Sequence, residues 1–217
     1  MTAPGCLVAP FIAKSAKELT YVGGTSSTSD LTTYTFAGHS LGTPVADRRV
    51  IVSVCADGVS AGTTVDTVTI GGVTATVVDT NFNGNAVAAI AIALVPTGAT
   101  GDIVVTHSAG KANCRVDVWT ATGLLSNTPV DFDAGTGTNP TTYSMTSVAD
   151  GILVANRVSE GVASTTTWTV ATENADTTLE GTTTVSAASM RTTGTSTAPT
   201  AEFASGAGNE TGACATW

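Results

Sequence analysis

Threonine fills 43 of the 217 positions, and this excess most narrows what the chain can fold into. A β-branched side chain is stiff at χ1, weak in helices and well suited to a pleated, half-exposed surface. The threonines fall in short runs that alternate with apolar residues, as in Val65-Asp66-Thr67-Val68-Thr69-Ile70, the period of a strand with one face covered. The 23 glycines punctuate these runs. Asp57-Gly58, Asn83-Gly84, Ala109-Gly110 and Asp150-Gly151 mark turns, and Gly71-Gly72 between two alternating runs predicts a tight hairpin. Strands are predicted near 32–37, 48–55, 65–70, 73–79, 86–94, 102–107, 114–121, 141–147, 151–158, 166–172, 183–192 and 211–217. No helix is predicted beyond residue 20. Ala86 to Leu94, an unbroken apolar run between Gly84-Asn85 and Pro96, reads as a fully buried strand. Strands at this spacing predict an all-β sandwich.

Composition closes off other classes. Hydrophobic residues make up 42%, enough for a core and against general disorder. Charged residues are 12% and the net charge is −9, so neither a coiled coil nor a nucleic-acid binder is expected. No apolar run reaches about 18 residues, so no membrane partner is expected. Nothing basic precedes Lys14, and Pro4 and Pro10 interrupt the early apolar run. The N-terminus therefore reads as that of a protein made in the cytoplasm without a secretory signal. Cys6, Cys55, Cys114 and Cys214 lie far apart with no Cys-x-x-Cys or Cys/His cluster, so no metal is expected. Cys114 shares a strand face with Val116 and Val118. It, Cys55 and Cys214 are expected to be buried free thiols.

Two halves of the body resemble each other. Thr32-Thr33-Tyr34-Thr35-Phe36 matches Thr141-Thr142-Tyr143-Ser144-Met145. Val45-Ala46-Asp47 matches Val148-Ala149-Asp150, Asp57-Gly58-Val59 matches Glu160-Gly161-Val162, and Trp119 matches Trp217. The body, residues 31–217, is therefore read as a pseudo-repeat with halves near 31–123 and 140–217, joined by a polar, Gly-rich linker over 124–140. Ala- and Thr-rich strands such as 183–193 bury little area each. The favoured fold is accordingly one jelly-roll-like sandwich built from both halves; two tandem Ig-like sandwiches are the alternative.

Residues 1–30 stand apart. Lys14 and Lys17 give the first 17 residues a charge of +2 in front of a body near −11. One or two helical turns are expected between Ile12 and Leu19, and Gly23-Gly24 to Ser29 reads as a connector. The segment is taken as a docking arm. Its candidate partner-binding residues are Leu7, Val8, Phe11, Ile12, Lys14 and Lys17.

The residues point away from catalysis. His39 lies in a turn and His107 ends a strand, with no Gly-x-Ser-x-Gly elbow to build a triad around. Both read as solvated or capping side chains. Asp131 and Asp133 share a strand face about 7 Å apart, a spacing that suits a glycosidase pair or a cation. Acids two apart on an exposed strand are common, and no catalytic or calcium motif accompanies these. Gly-rich turns lead into strands, so no phosphate cradle forms and no cofactor is expected. Arg48-Arg49 reads as a strand-end cap. Trp119 and Trp217 are expected in core or interface packing. Trp168, among threonines, is the candidate exposed aromatic for stacking a glycan.

The blocks Asp47 to Val54, Val68 to Val78, Gly101 to Thr106 and Val116 to Leu124 resemble β-rich virion structural proteins of tailed bacteriophages, such as those of α-proteobacteria. The resemblance spans about residues 31–158. It implies a non-enzymatic capsid-surface decoration or cement protein, or a tail-fibre module contacting host glycans, and no catalytic residues. The expected location is the virion. The expected partners are the major capsid protein or another virion protein, and further copies of the chain, a trimer among them.

Overall fold

The computed structural model describes residues 16–137, 139–161, 163–204 and 208–217. Two sandwiches follow one another along the chain. In the first, the inner sheet runs β1 (Glu18–Ser27), β9 (Asn113–Thr122), β3 (Arg49–Asp57), β7 (Ala86–Leu94), β6 (Thr76–Asn83). Its outer sheet runs β2 (Leu31–Ser40), β8 (Thr100–Lys111), β4 (Val65–Ile70), β5 (Val73–Thr74). In the second, the inner sheet runs β10 (Asp131–Thr136), β19 (Glu210–Thr216), β13 (Gly151–Ser159), β16 (Thr183–Thr192), β15 (Thr172–Leu179). Its outer layer pairs β11 (Thr141–Thr142), β18 (Thr200–Phe203) and β14 (Thr166–Thr169), with β12 (Met145–Thr146) on β17 (Ser196–Thr197). Every pairing is antiparallel.

The all-β sandwich architecture is as the sequence predicts, and its division follows the alternative of two tandem sandwiches. Each sheet draws its strands from one half alone. β5 and β6 are two parts of one strand that leaves the outer sheet at Ala75 and joins the inner one. Counted so, the first half has inner order 1-8-3-6-5 facing outer order 2-7-4-5, the fifth strand taking part in both sheets. The inner sheet of the second half repeats the inner order, with β10 and β19 in the places of β1 and β9, while its outer layer has no counterpart of β5 among the described residues.

The inner sheets stack on each other, so the molecule has four layers and three apolar interiors. Val50, Val52 and Val54 of β3 face the first outer sheet, while Ile51 and Cys55 face the second sandwich. A strand covered on both faces reads as an unbroken apolar run, and β7 is such a strand. The Ala- and Thr-rich strands of the second half gain what their small side chains lack in area by having both faces covered. Ala187, Ala213 and Ala215 pack in the seam, while Ala155, Ala188 and Cys214 pack beneath the outer layer. Cys55, Cys114 and Cys214 are buried free thiols, as expected. Cys6 lies outside the described residues.

Two segments read as connectors are strands. Residues 18–27 form β1, paired with β9 from Glu18↔Thr122 to Ser27↔Cys114, with a bulge at Tyr21/Gly23. The helical turns expected up to Leu19 are replaced there by strand, and the rest of that span lies outside the described residues. Residues 131–136, placed in the linker by sequence, form β10 on β19. The halves therefore begin at β1 and β10, not at residues 31 and 140.

Candidate functional site

The linker between the sandwiches, residues 123–130, is held from both sides. Asp47 Oδ2 accepts the Gly123 N–H at 2.8 Å. Arg49 donates to the Leu124 carbonyl and, at 3.0 Å, to Asn127 Oδ1. The Trp217 indole N–H reaches Asn127 O at 3.1 Å, and the Val130 N–H meets Thr216 O at 2.7 Å. Arg48, fully buried, donates to the carbonyls of Gly42, Val95, Thr97 and Gly98 at 2.7–2.8 Å. The arginine pair thus caps strand ends, as expected, and Arg49 also anchors the linker.

Pinning the backbone this way splits the Leu124-Leu125 pair. Leu124 enters the seam, and Leu125 is left 85% exposed. Beside it lies a groove of about 280 Å³ lined by Leu124, Leu125, Val130, Val148, Ala149 and Trp217, with Lys17 on its rim. Exposed apolar side chains gather at this end. They are Val45 and Val148 in the loops before β3 and β13, Leu94 ending β7, Leu125 and Val130 in the linker, and Phe132 in β10. Such a collection marks an interaction surface on a soluble protein. Ser126 and Thr128 complete the lining, so the groove offers apolar contact with a few polar groups at its margin.

Of the six candidate arm residues, Lys17 is placed, at the groove's rim. Leu7, Val8, Phe11, Ile12 and Lys14 lie outside the described residues. Sequence reasoning missed Leu125, Val130 and Val148. The available signal was an apolar Leu-Leu pair inside an otherwise polar linker.

Trp168 is not an exposed platform. Its indole N–H donates to Ser186 Oγ at 2.7 Å, and its ring stacks on Tyr143 with centroids 6.2 Å apart. The polar neighbours Thr167 and Thr169 belong to the other face of β14, which is exposed. Trp119 and Trp217 are buried in the seam, as expected.

Asp131 and Asp133 are occupied by main chain. Asp131 Oδ2 accepts the Thr146 N–H at 2.7 Å and Asp133 Oδ2 accepts the Ser144 N–H at 2.8 Å. The Thr146 hydrogen bond, ahead of other causes, holds the Asp131 carboxyl below the usual carboxylate range. His39, read as lying in a turn, is in β2 and half-buried, with Nδ1 2.8 Å from Ser40 O. His107, read as solvated or capping, is buried because the alternation of β8 aims it between the sheets, edge-on to Tyr34 at 5.8 Å.

Comparison with known protein families, curated proteins and solved structures finds no match.

Proposed function

We propose that this chain is a non-enzymatic structural protein of a bacteriophage virion, a capsid decoration or cement subunit that attaches through the linker end of the molecule. The observation carrying this reading is the coincidence of two features at one end: the groove, with Lys17 in its lining, and the exposed apolar side chains around it. On this reading residues 1–15, apolar and basic in sequence, contribute to attachment, and the acidic body faces outward. The major capsid protein or another virion protein is the partner, with further copies of the chain packed beside it. The subunit is made in the host cytoplasm and resides on the virion.

The tail-fibre alternative drew on Trp168 and polar loops; Trp168 is half-buried and donates to Ser186, which weighs toward the decoration reading. Acid pairs at Asp131 and Asp133 serve the fold, which favours adhesion over hydrolysis.

The test is co-sedimentation with particles lacking the protein. Leu125→Asp with Val130→Asp is expected to leave a folded protein that binds at least tenfold more weakly, because a charge would have to be desolvated at the joint. Removal of residues 1–15 is expected to lower occupancy separately. Full occupancy by both variants would overturn the attachment site, and a copy number of a few per particle would overturn decoration.

A further inference from the structure

A second cluster lies at the end of the molecule opposite the linker. Lys111 closes β8 with its side chain fully buried. Its Nζ donates to the main-chain carbonyls of Ser60 and Asn85, both at 2.7 Å. Asn85, in the turn between β6 and β7, aims its carboxamide Nδ2 at Glu160 Oε1, 3.0 Å away. Glu160 follows β13 in the second sandwich, and its other oxygen accepts from Asn209 Nδ2 at 2.7 Å. Three elements thus bring an amine onto the main chain of the residue whose carboxamide nitrogen a carboxylate holds. Asp57 is near enough to act on Lys111 electrostatically, but its oxygens are engaged by the Gly58 N–H and the Thr183 hydroxyl, each at 2.6 Å. Burial, the largest influence on Lys111, brings its ammonium pKa down to about 8. About a tenth of the molecules then carry the free amine near pH 7.

We propose that Lys111 and Asn85 form an intramolecular isopeptide bond, with Glu160 as the proton carrier. The Lys111 Nζ lone pair attacks Asn85 Cγ and the Nζ–Cγ bond forms. Glu160 accepts the proton that Nζ gives up and delivers it to Nδ2. The Cγ–Nδ2 bond then breaks and Nδ2 leaves as ammonia. Each atom is accounted for without an oxidant or a co-reactant, and Glu160 ends as it began. A buried amine held against one residue of the pair supplies the proximity that such a reaction lacks in water. The product ties the outer sheet's β8 to an inner-sheet turn and closes a loop between residues 26 apart. It constrains the unfolded chain as a disulfide does, in a protein whose Cys55, Cys114 and Cys214 are free thiols.

Mass spectrometry of a tryptic digest of the full chain tests this without any variant having to fold. No Lys or Arg lies between Arg49 and Lys111, and trypsin does not cut after an acylated lysine. The expected product is one peptide over residues 50–115, lighter than its sequence by one ammonia. Lys111→Met and Glu160→Ala are each expected to restore the ammonia. A peptide 50–111 of unaltered mass would overturn the proposal. Loss of ammonia with Lys111 still cleaved would also overturn it, assigning the loss to a succinimide at Asn83-Gly84. Loss of water from the peptide would move the electrophile to Asp57 and overturn the assignment to Asn85.

Discussion

His107 is a single side chain whose burial works against its charged form. It is 1% exposed, and neither ring nitrogen has a hydrogen-bond partner among the described residues. Burial, the largest cause, holds its pKa down to about 4. Over the interval from about pH 6.5 to that value the unfolded chain binds a proton that the folded chain refuses. Stability is therefore fully present above about pH 6.5 and declines as the pH falls toward 4, by roughly 3 kcal/mol in all. Urea midpoints measured at about pH 7.5 and about pH 4.5 should show this decline. His107→Leu should remove most of it and be no less stable than the parent at neutral pH, since it leaves no orphaned polar atom. An unchanged pH slope in that variant would show that the burden lies elsewhere.

At the scale of elements, the edge strand β10 shows how a polar stretch becomes a strand. Its aspartates present oxygens to the N–H groups of Ser144 and Thr146, continuing a ladder by side chain where the chain turns the corner between sheets. A charge-assisted hydrogen bond of this kind is worth about 1 kcal/mol at a partly exposed site. Asp131→Ala and Asp133→Ala are each expected to lower unfolding stability by about that amount, measurable in denaturant. Because the Asp131 pKa is lowered, its contribution is present above the unfolded value of about 3.9 and lost as the pH falls through the folded value. The parent's acid sensitivity below about pH 4 should therefore shrink in Asp131→Ala. A glycine serves the same corner. Tyr143 passes its hydroxyl to Asn156 O at 3.1 Å over Gly212, where any Cβ would lie 2.0 Å from that hydroxyl.

For the whole molecule, the seam between inner sheets decides cooperativity. Trp119 donates across it to Asn174 Oδ1 at 3.1 Å. Asn156, fully buried, donates to Val54 O and Ala89 O of the first sandwich while accepting from the Ala213 N–H of its own. A buried carboxamide with these partners fixes how the sheets stack, since displacement would orphan several polar groups. Neither sandwich is closed without the other, because Ile51, Ile90, Ile92 and Trp119 would face water. One calorimetric transition is expected for the intact chain. Residues 1–123 made alone should aggregate or pair with themselves, as gel filtration would show. Two separate transitions, or a soluble monomeric half, would mean that the seam contributes little.

The strands with clear alternation or unbroken apolar runs were legible in the residues alone. Val65–Ile70 and Ala86–Leu94 lie where predicted, and Ile70 pairs with Val73 across Gly71-Gly72, both glycines at positive φ. Local preference suffices there, because period and turn chemistry agree. β1 and β10 were not legible, and they are the corresponding first strands of the two halves. Gly-rich or acidic edge strands have little preference of their own and become strands by pairing with β9 and β19. The inward aim of Trp168 follows from period 2, which its polar neighbours obscured. The clustering of Leu125, Val130 and Val148 with Lys17, and of Lys111 with Asn85 and Glu160, joins residues far apart in the chain. Only the packing of strands distant in sequence, within and between the sandwiches, decides such neighbourhoods, because no local pattern encodes which faces meet.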